Sequence, residues 1–202
     1  MKNLWNNRDA GACGDDLLAL RVYSSRLIGK NPDLVLHGGG NTSVKAPFID
    51  LFGERHEAIY IKGSGWDLAT IEAAGFAPVR LDALIKLSQF KTLSDTDMVS
   101  AQRVAMLDQN APNPSVEAIL HAIIPFRFVD HTHADAVVTL TNTPDGEERI
   151  RTLYGNRVLV VPYVMPGFEL AKKIVELTRK TDWSTLEGMV LMLSLIPISE
   201  PT

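Results

Sequence analysis

The spacing of apolar residues along the chain predicts several amphipathic helices. In "DDLLALRVYSSRLIG" (15–29) apolar residues recur at helical spacing, and two aspartates near the start favour the positive end of a helix dipole. The same spacing predicts three more helices, at 80–90, 94–107 and 166–180. Ser94 is a candidate N-cap for one of them. A further helix is predicted over 113–124, where Pro114 suits the first helical position.

Short apolar and β-branched runs predict strands between these helices. The runs lie at 33–37, 57–62, 126–141, 157–164 and 187–192. Pro47 and the turn sequence "DLFGERH" separate the first two runs, which favours an antiparallel hairpin over a crossover connection. We therefore expect the first two strands to pair directly.

Length and composition are those of an ordinary globular domain. The 202 residues carry a net charge of −4 and their lysines and arginines are scattered, so no nucleic-acid footprint is expected. The single cysteine, Cys13, excludes an internal disulfide and fits a reducing compartment. The start of the chain lacks the apolar core of a secretory signal, and the apolar run 189–198 is too short to span a bilayer. We expect a cytoplasmic protein without a membrane segment.

Two histidines separated by one residue lie within "VDHTHADAVVTL" (129–140). Side chains two apart in a strand point to the same face, so the imidazoles of His131 and His133 can converge on one metal ion. Zinc requires three or four such ligands. Asp130 and Asp135 flank the pair, either as partners that orient the rings or as surface charges. Two strand histidines bonded to their neighbours are the alternative.

Glu117 is a candidate general base for a site at these histidines. It precedes His131 by fourteen residues in the predicted 113–124 helix, and a helix followed by an adjacent strand would bring its carboxylate near the metal. His121 lies one turn further on the same face. The alternatives are a glutamate that complements the helix dipole and a packed histidine with one hydrogen bond.

Three segments offer hydrogen-bond donors to an anion. In "LHGGGNTSVK" (36–45) no helix follows the glycines and a serine stands at the third glycine position, which excludes a dinucleotide-binding turn. The segment remains a candidate anion cradle, through backbone N–H groups and the side chains of Asn41, Thr42 and Ser43. Further candidate contacts are Ser64 in "KGSGWD" and Ser115 near a predicted helix start. Tight turns are the alternative.

Taken in order, these segments resemble the class II aldolase/adducin family over residues 15–192. The family pattern is a Gly-Asn-x-Ser loop, a Ser/Thr-Gly loop, a Pro-Ser-x-Glu helix start and a His-x-His pair. The matching segments are Gly40-Asn41-Thr42-Ser43, Ser64-Gly65, Pro114-Ser115-Val116-Glu117 and His131-Thr132-His133. Longer strings, such as "IKGSGWDLATIE", are similar to one branch, the bifunctional rhamnulose-1-phosphate aldolase/alcohol dehydrogenase proteins, in which a dehydrogenase domain follows the aldolase-like domain.

The resemblance implies a three-layer α/β/α fold around a mainly antiparallel sheet, with Zn²⁺ as Lewis acid and a homotetramer as the assembly. It implies reversible cleavage of a ketose 1-phosphate, of the rhamnulose 1-phosphate type, to dihydroxyacetone phosphate and lactaldehyde. By this mapping His131 and His133 bind zinc, and Glu117 carries the proton at the carbon that becomes the enediolate. The phosphate is held by Gly40, Asn41, Ser64, Gly65 and Ser115.

The chain departs from the family pattern in two places. Val116 replaces a second serine of some relatives. The family's third zinc-binding histidine, in a His-Gly pair after a strand like "GMVLM" (188–192), has no counterpart, because none of the five histidines follows His133. We therefore expect an aldolase-like domain over 1–192 that is incomplete at its C-terminus, a non-native tail at 193–202, weak zinc binding and impaired activity.

Two other functions are compatible with the same residues. A sugar-phosphate epimerase of the same fold would use similar loops and zinc. A non-catalytic, adducin-like interaction domain would keep only the fold. The retention of Glu117, His131 and His133 favours an enzyme, since a scaffold does not need all three.

Overall fold

The structure is a computed structural model and describes residues 3–193. The helices are α1 (Asn7–Gly11), α2 (Leu17–Gly29), α3 (Leu81–Leu87), α4 (Asp95–Val104), α5 (Ala118–Ile123), α6 (Asp135–Thr141), α7 (Gly146–Tyr154) and α8 (Phe168–Thr178). The strands are β1 (Asn41–Ile49), β2 (Arg55–Lys62), β3 (Phe76–Arg80), β4 (Phe128–His131), β5 (Val158–Val161) and β6 (Gly188–Leu191). No helix among the described residues is long and apolar enough to cross a membrane. Apart from Leu193, the predicted tail at 193–202 lies outside the described residues, and the domain boundary at 192 stays a prediction.

Four strands form an antiparallel sheet in the order β3-β2-β1-β4. The central strands β1 and β2 form an antiparallel hairpin, but its first strand is 41–49 and not the predicted 33–37. Pro47 lies in β1 beyond the end of β4, where one edge of the strand is free and a proline is tolerated. A separate parallel pair consists of β5 and β6.

Helices cover both faces of the central sheet. Along β2 the side chains alternate, so Ile59 and Ile61 are buried in a core shared with α3, α4, α5 and α8, whereas Tyr60 packs with α2 on the opposite face. Each face of the sheet therefore has its own apolar core. This confirms the α/β class with a mainly antiparallel central sheet.

An ion pair between a buried arginine and an exposed aspartate fixes α2 against the sheet. Arg21 is 1% exposed and pairs with Asp130 of β4 at 2.6 Å. Its guanidinium also donates to the hydroxyl of Ser25 and to the carbonyl of Ser43 in β1. Asp130, one of the two aspartates considered as partners of the histidines, is therefore paired with an arginine of α2 instead.

The segment 33–37, predicted as the first strand of the hairpin, is a series of turns. The N–H groups of Leu34 and Val35 both donate to the carbonyl of Asn31, and His37 has a positive φ of 49°. Val35 is buried all the same, in a core with Leu68 and Phe76 on the α2 face. Its apolar character reflects that anchoring role, and the hairpin strand begins only after the glycine run.

The strand predicted over 126–141 ends at His131, and helix α6 follows. Within the sheet β4 pairs with β1, which begins at Asn41 opposite His131. Gly40 has a φ of 66°, outside the strand region, so the ladder has no partner beyond that point. The β-branched residues that follow form α6 instead, and Asp135 in its first turn complements the helix dipole.

The helix predictions at 15–29, 80–90, 94–107 and 166–180 agree with the structure. Helix α2 occupies most of the predicted segment, and α8 begins directly after Gly167. The side chain of Ser94 accepts a hydrogen bond from the N–H of Asp97 at 3.1 Å, which confirms it as the N-cap of α4.

Candidate active site

The segment before α5 continues the sheet before it becomes a helix. Pro114 forms a β-bridge with Gly63, and the N–H of Ser115 donates to the carbonyl of Lys62. These contacts hold the chain extended, so the helix predicted from 113 begins only at Ala118. The end of β2 and the start of α5 are thereby joined.

Glu117, His131 and Asn41 meet at one buried point. Glu117 caps α5 and its side chain is 9% exposed, while His131 is the last residue of β4 and lies opposite Asn41, the first residue of β1. The Nδ1 of His131 donates to Oε2 of Glu117 at 2.7 Å, and the side-chain amide of Asn41 donates to the same oxygen. The carboxylate and the imidazole thus lie together, as the order of the two segments predicts.

The contact shifts the protonation of both partners. Burial would raise the pKa of Glu117, but the hydrogen bond and charge of His131, with the bond from Asn41, outweigh burial and lower that pKa to about 2. Burial would lower the pKa of His131, but the bond and charge of Glu117 outweigh it, so that pKa is raised. Without a metal ion the contact therefore favours an ionised carboxylate and a protonated imidazole, and a metal bound at the other ring nitrogen would displace the proton there.

His133 lies beyond β4, in the turn before α6. Its N–H donates to the carbonyl of Leu34 at 2.9 Å, so the prediction that it shares a strand face with His131 is wrong. The rings nevertheless lie side by side, with centroids 4.9 Å apart and planes at 68°. Burial, and then the charge of His131, lower the pKa of His133, which favours the neutral form that binds metals.

One atom of this group fits a metal ligand. The Nε2 of His131 is buried and has no hydrogen-bond partner among the described residues, while Nδ1 of the same ring is held by Glu117. A carboxylate on one ring nitrogen orients many metal-binding histidines and leaves the other nitrogen for the ion. With His133 the chain offers two neighbouring imidazoles at this point.

A more compact group of metal-ligand type lies elsewhere. Within the described part of the chain, Asp50, Glu54 and His56 bring one ligand atom each within 4.8 Å of one another. They surround the hairpin turn at the far end of β1, and nine residues of strand place that turn about 26 Å from His131. Asp50 accepts hydrogen bonds from the N–H groups of Phe52 and Glu54 and pairs with His56 at 2.9 Å, so its contacts shape the turn.

The predicted phosphate contacts fall into two groups, and the first is an open loop. The N–H of Ser64 donates to the carbonyl of Asn113, next to the bridge that holds Ser115 in place. Ser64 and Gly65 are exposed, and Gly65 has a φ of 84°. This loop presents its donors to solvent, with Ser115 beside it.

The second group, the Gly-Asn-Thr-Ser segment, is turned into the protein. Thr42 and Ser43 are fully buried in β1. The hydroxyl of Thr42 bonds to that of Ser25 at 2.8 Å, and the hydroxyl of Ser43 bonds to Nδ1 of His121 at 2.8 Å. The interpretation of Thr42 and Ser43 as donors to an anion is therefore wrong. Burial lowers the pKa of His121 to about 3, which makes it the neutral packed histidine considered as an alternative.

Lys62, a charged residue next to the open loop, was not predicted as part of the site. It is the last residue of β2 and is 6% exposed, and its ammonium donates to the carbonyl of Gly38 at 3.2 Å. Burial is the larger influence and lowers its pKa. Its position immediately before "GSG" at a predicted strand end was the available signal.

The fold is that of a class II aldolase type of domain. The chain belongs to the class II aldolase/adducin family: the family model described as Class II Aldolase and Adducin N-terminal domain matches residues 21–192. A solved relative is the N-terminal class II aldolase domain of a conserved protein from Thermoplasma acidophilum. It is 39% identical, with a TM-score of 0.83 over 95% of this chain and 85% of its own.

Two other similar proteins differ more from this chain, one in sequence identity and the other in length. An aldolase II superfamily protein from Pseudomonas syringae shares the fold at 16% identity, with a TM-score of 0.56 over 93% of this chain and 68% of its own. The uncharacterized oxidoreductase YuxG of Bacillus subtilis is 39% identical over 176 residues, which make up 87% of this chain and 25% of that protein. The chain thus spans about a quarter of the length of that relative.

Proposed function

We propose that this domain is a zinc-dependent aldolase that cleaves a ketose 1-phosphate of the rhamnulose 1-phosphate type to dihydroxyacetone phosphate and lactaldehyde. The observation that carries the proposal is the buried contact of Glu117 with His131, beside the ring of His133. Zn²⁺ held by these two imidazoles would supply a Lewis acid that stabilises the negative charge of an enediolate.

The position of Glu117 suits a group that moves a proton next to such a site. Its carboxylate is ionised, 9% exposed and fixed by two hydrogen bonds, so it is held in one place and shielded from water. In the proposal it removes and returns the proton at the carbon that becomes the enediolate. A domain that only binds other proteins has no need of a buried, ionised glutamate at this point.

The open loop supplies the phosphate contacts in this proposal. In the proposal Ser64 and Ser115 contribute hydroxyl donors, since their backbone N–H groups bond to Asn113 and Lys62, and Gly65 and Gly40 contribute backbone N–H groups. Neutral donors suit a phosphate dianion in a domain whose basic residues are scattered. Asn41, next to Gly40, completes the proposed phosphate contacts, and in the structure its side-chain amide donates to Glu117. Assembly into a homo-oligomer is also proposed, and sedimentation of the purified chain tests it.

The decisive experiment is cleavage of rhamnulose 1-phosphate by the zinc-loaded chain, with dihydroxyacetone phosphate measured as product. We expect slow cleavage that EDTA abolishes and that Glu117→Gln reduces at least a hundredfold, in line with the usual contribution of a general base. Glu148→Gln, on the exposed face of α7, is the matched control and should leave the rate unchanged. Cleavage that is indifferent to both EDTA and Glu117→Gln would contradict the proposal. Conversion to an isomeric sugar phosphate instead would indicate the epimerase.

A further inference from the structure

We propose that the apolar tip of the β1–β2 hairpin docks on an apolar, basic patch of a second copy of this chain. The tip consists of residues 50–57, and the patch consists of residues 85–91 together with Lys172. The proposal assigns a surface to the homo-oligomer and does not depend on the proposed cleavage reaction.

The outer half of the hairpin projects beyond the rest of the sheet. The two strands pair with each other as far as Ile49 and Arg55. The neighbouring strands stop earlier, β4 opposite Val44 and β3 opposite Ala58. Residues 46–57 are therefore a ribbon of two strands without a third strand beside it in the described part of the chain. Such a ribbon buries little apolar surface of its own.

The turn at the end of this ribbon is held in one conformation by Asp50. Its carboxylate accepts hydrogen bonds from the N–H groups of Phe52 and Glu54 and pairs with His56. The side chains that the turn presents are apolar, and Leu51 is fully exposed while Phe52 is 90% exposed. A turn that is already ordered loses little conformational freedom when a partner covers it. The tip is therefore a preformed apolar projection.

Apolar side chains are also exposed at the end of α3 and in the turn that follows it. Ile85 is 39% exposed and Phe90 is 52% exposed. Lys172 of α8 lies beside them, since its ammonium donates to the carbonyl of Phe90 at 2.8 Å. Lys91 follows Phe90 and is exposed. Neither Lys91 nor Lys172 forms an ion pair among the described residues.

The charges of the two surfaces are opposite. The tip contains three carboxylates and one arginine, whereas the patch contains three lysines and no carboxylate. Asp82, which precedes the patch, pairs with both Arg80 and Lys86, so it leaves the other two lysines uncompensated. Opposite charges around an apolar contact favour association and fix its orientation. Each copy carries one tip and one patch, so a second copy supplies the partner surface and the contact runs head to tail.

The contact is small, because a tip with two large side chains covers less than the roughly 1,200–2,000 Å² of a stable interface. We therefore expect weak association that increases with concentration. Sedimentation velocity of the metal-free full chain measures it, from about 1 µM to about 1 mM. The weight-average mass should rise above that of a monomer within this range and continue past that of a dimer, since a head-to-tail contact leaves a free tip and a free patch at the ends.

Two apolar variants test the two surfaces. Phe52→Ser in the tip and Phe90→Ser in the patch should each weaken association at least tenfold, as loss of a central aromatic side chain does. Leu153→Ser is the matched control, because Leu153 is a large apolar residue that is 57% exposed on α7, and it should leave association unchanged. Thermal unfolding checks that each variant is folded.

Charge reversal tests the pairing of the surfaces without changing an apolar residue. Glu54→Lys and Lys91→Glu should each weaken association, and the double variant should recover most of the wild-type affinity, because the opposite charges face each other again. Both side chains are exposed, so the fold does not depend on them.

Three results would overturn the inference. A wild-type chain that stays monomeric over the whole range would remove both the contact and the homo-oligomer. Association that survives Phe52→Ser would leave a homo-oligomer but exclude the tip from its interface. Weakening by Phe52→Ser but not by Phe90→Ser, with no recovery in the double charge variant, would exclude the patch as the partner surface. The measurement uses neither substrate nor metal, so its outcome is independent of the cleavage assay.

Discussion

An alanine at position 40 would force a methyl group into the contact between β1 and β4. The added Cβ would lie 2.7 Å from the carbonyl oxygen of His131, closer than real Cβ contacts allow. The φ of 66° at Gly40 adds a conformational cost of roughly 1–2 kcal/mol for an L-residue. Overpacking of a buried site adds about 1–3 kcal/mol. We expect Gly40→Ala to lower the free energy of unfolding by about 2–5 kcal/mol, a large part of the stability of a typical domain.

Two other glycines separate these contributions. Gly65 also has a positive φ, of 84°, but an added Cβ there meets no atom within 4 Å, so Gly65→Ala should lose only the conformational part, about 1–2 kcal/mol. An added Cβ at Gly38 likewise meets no atom within 4 Å, and its φ is not positive. Gly38→Ala should therefore be neutral or stabilising by up to about 1 kcal/mol, because alanine restricts the unfolded chain.

The assay is urea unfolding of the three variants and the wild type in EDTA, followed by tryptophan fluorescence. Equal slopes of free energy against urea establish that the differences are differences in stability. We expect the order Gly38→Ala, wild type, Gly65→Ala, Gly40→Ala from most to least stable. If Gly40→Ala proves no less stable than Gly65→Ala, the close approach of β1 to the carbonyl of His131 is refuted.

Two further predictions concern the buried pair of Glu117 and His131 and the partly buried Lys45. In metal-free protein the lowered pKa of Glu117 makes its contribution to stability present above pH 4.5 and lost as the pH falls toward 2, while the raised pKa of His131 makes its contribution present below pH 6.5 and lost at higher pH. Glu117→Gln should remove both of these losses when the free energy of unfolding in urea is measured from pH 3 to 8. An unchanged dependence of that free energy on pH would count against the ion pair. Lys45→Met removes the ammonium that donates to the carbonyls of His121, Ile124 and Phe126, and should lower the unfolding free energy by about 2–3 kcal/mol at pH 7. Lys91→Met, at an exposed position, should have almost no effect on the unfolding free energy. Equal losses of unfolding free energy in the two lysine variants would contradict a stabilising role of the Lys45 hydrogen bonds.

Local signals predicted the elements whose formation depends on their own sequence. The amphipathic spacing of α2 and α8 and the cap at Ser94 are properties of short segments, and the structure agrees with them. The prediction of a strand over 126–141 was wrong in its C-terminal half, because the length of a strand depends on the strand that pairs with it. β4 ends where β1 begins, and a glycine distant in sequence decides that point. β-branched residues without a strand partner became helix α6.

The same distinction applies to the site. The sequence order of Glu117 and the His-x-His pair predicted that carboxylate and imidazole meet, and they do, although the strand argument holds only for His131. Nothing local in "GNTS" shows which way its side chains turn. Their direction follows from the register of β1 against β4, which places Asn41 opposite His131 and carries Ser43 to His121 on the buried side.

The register also explains why one short motif serves two purposes. Alternation along β1 turns Thr42 toward Ser25 of α2, while its neighbours Asn41 and Ser43 turn toward α5, where Glu117 and His121 lie. Asn41 and Ser43 therefore hold Glu117 and His121 in place from β1. This part of β1 is buried on both faces. Groups on strands and helices are held more precisely than groups on loops. In the proposed function, the sheet therefore holds the reacting groups, and the exposed loop with Ser64 contacts the phosphate.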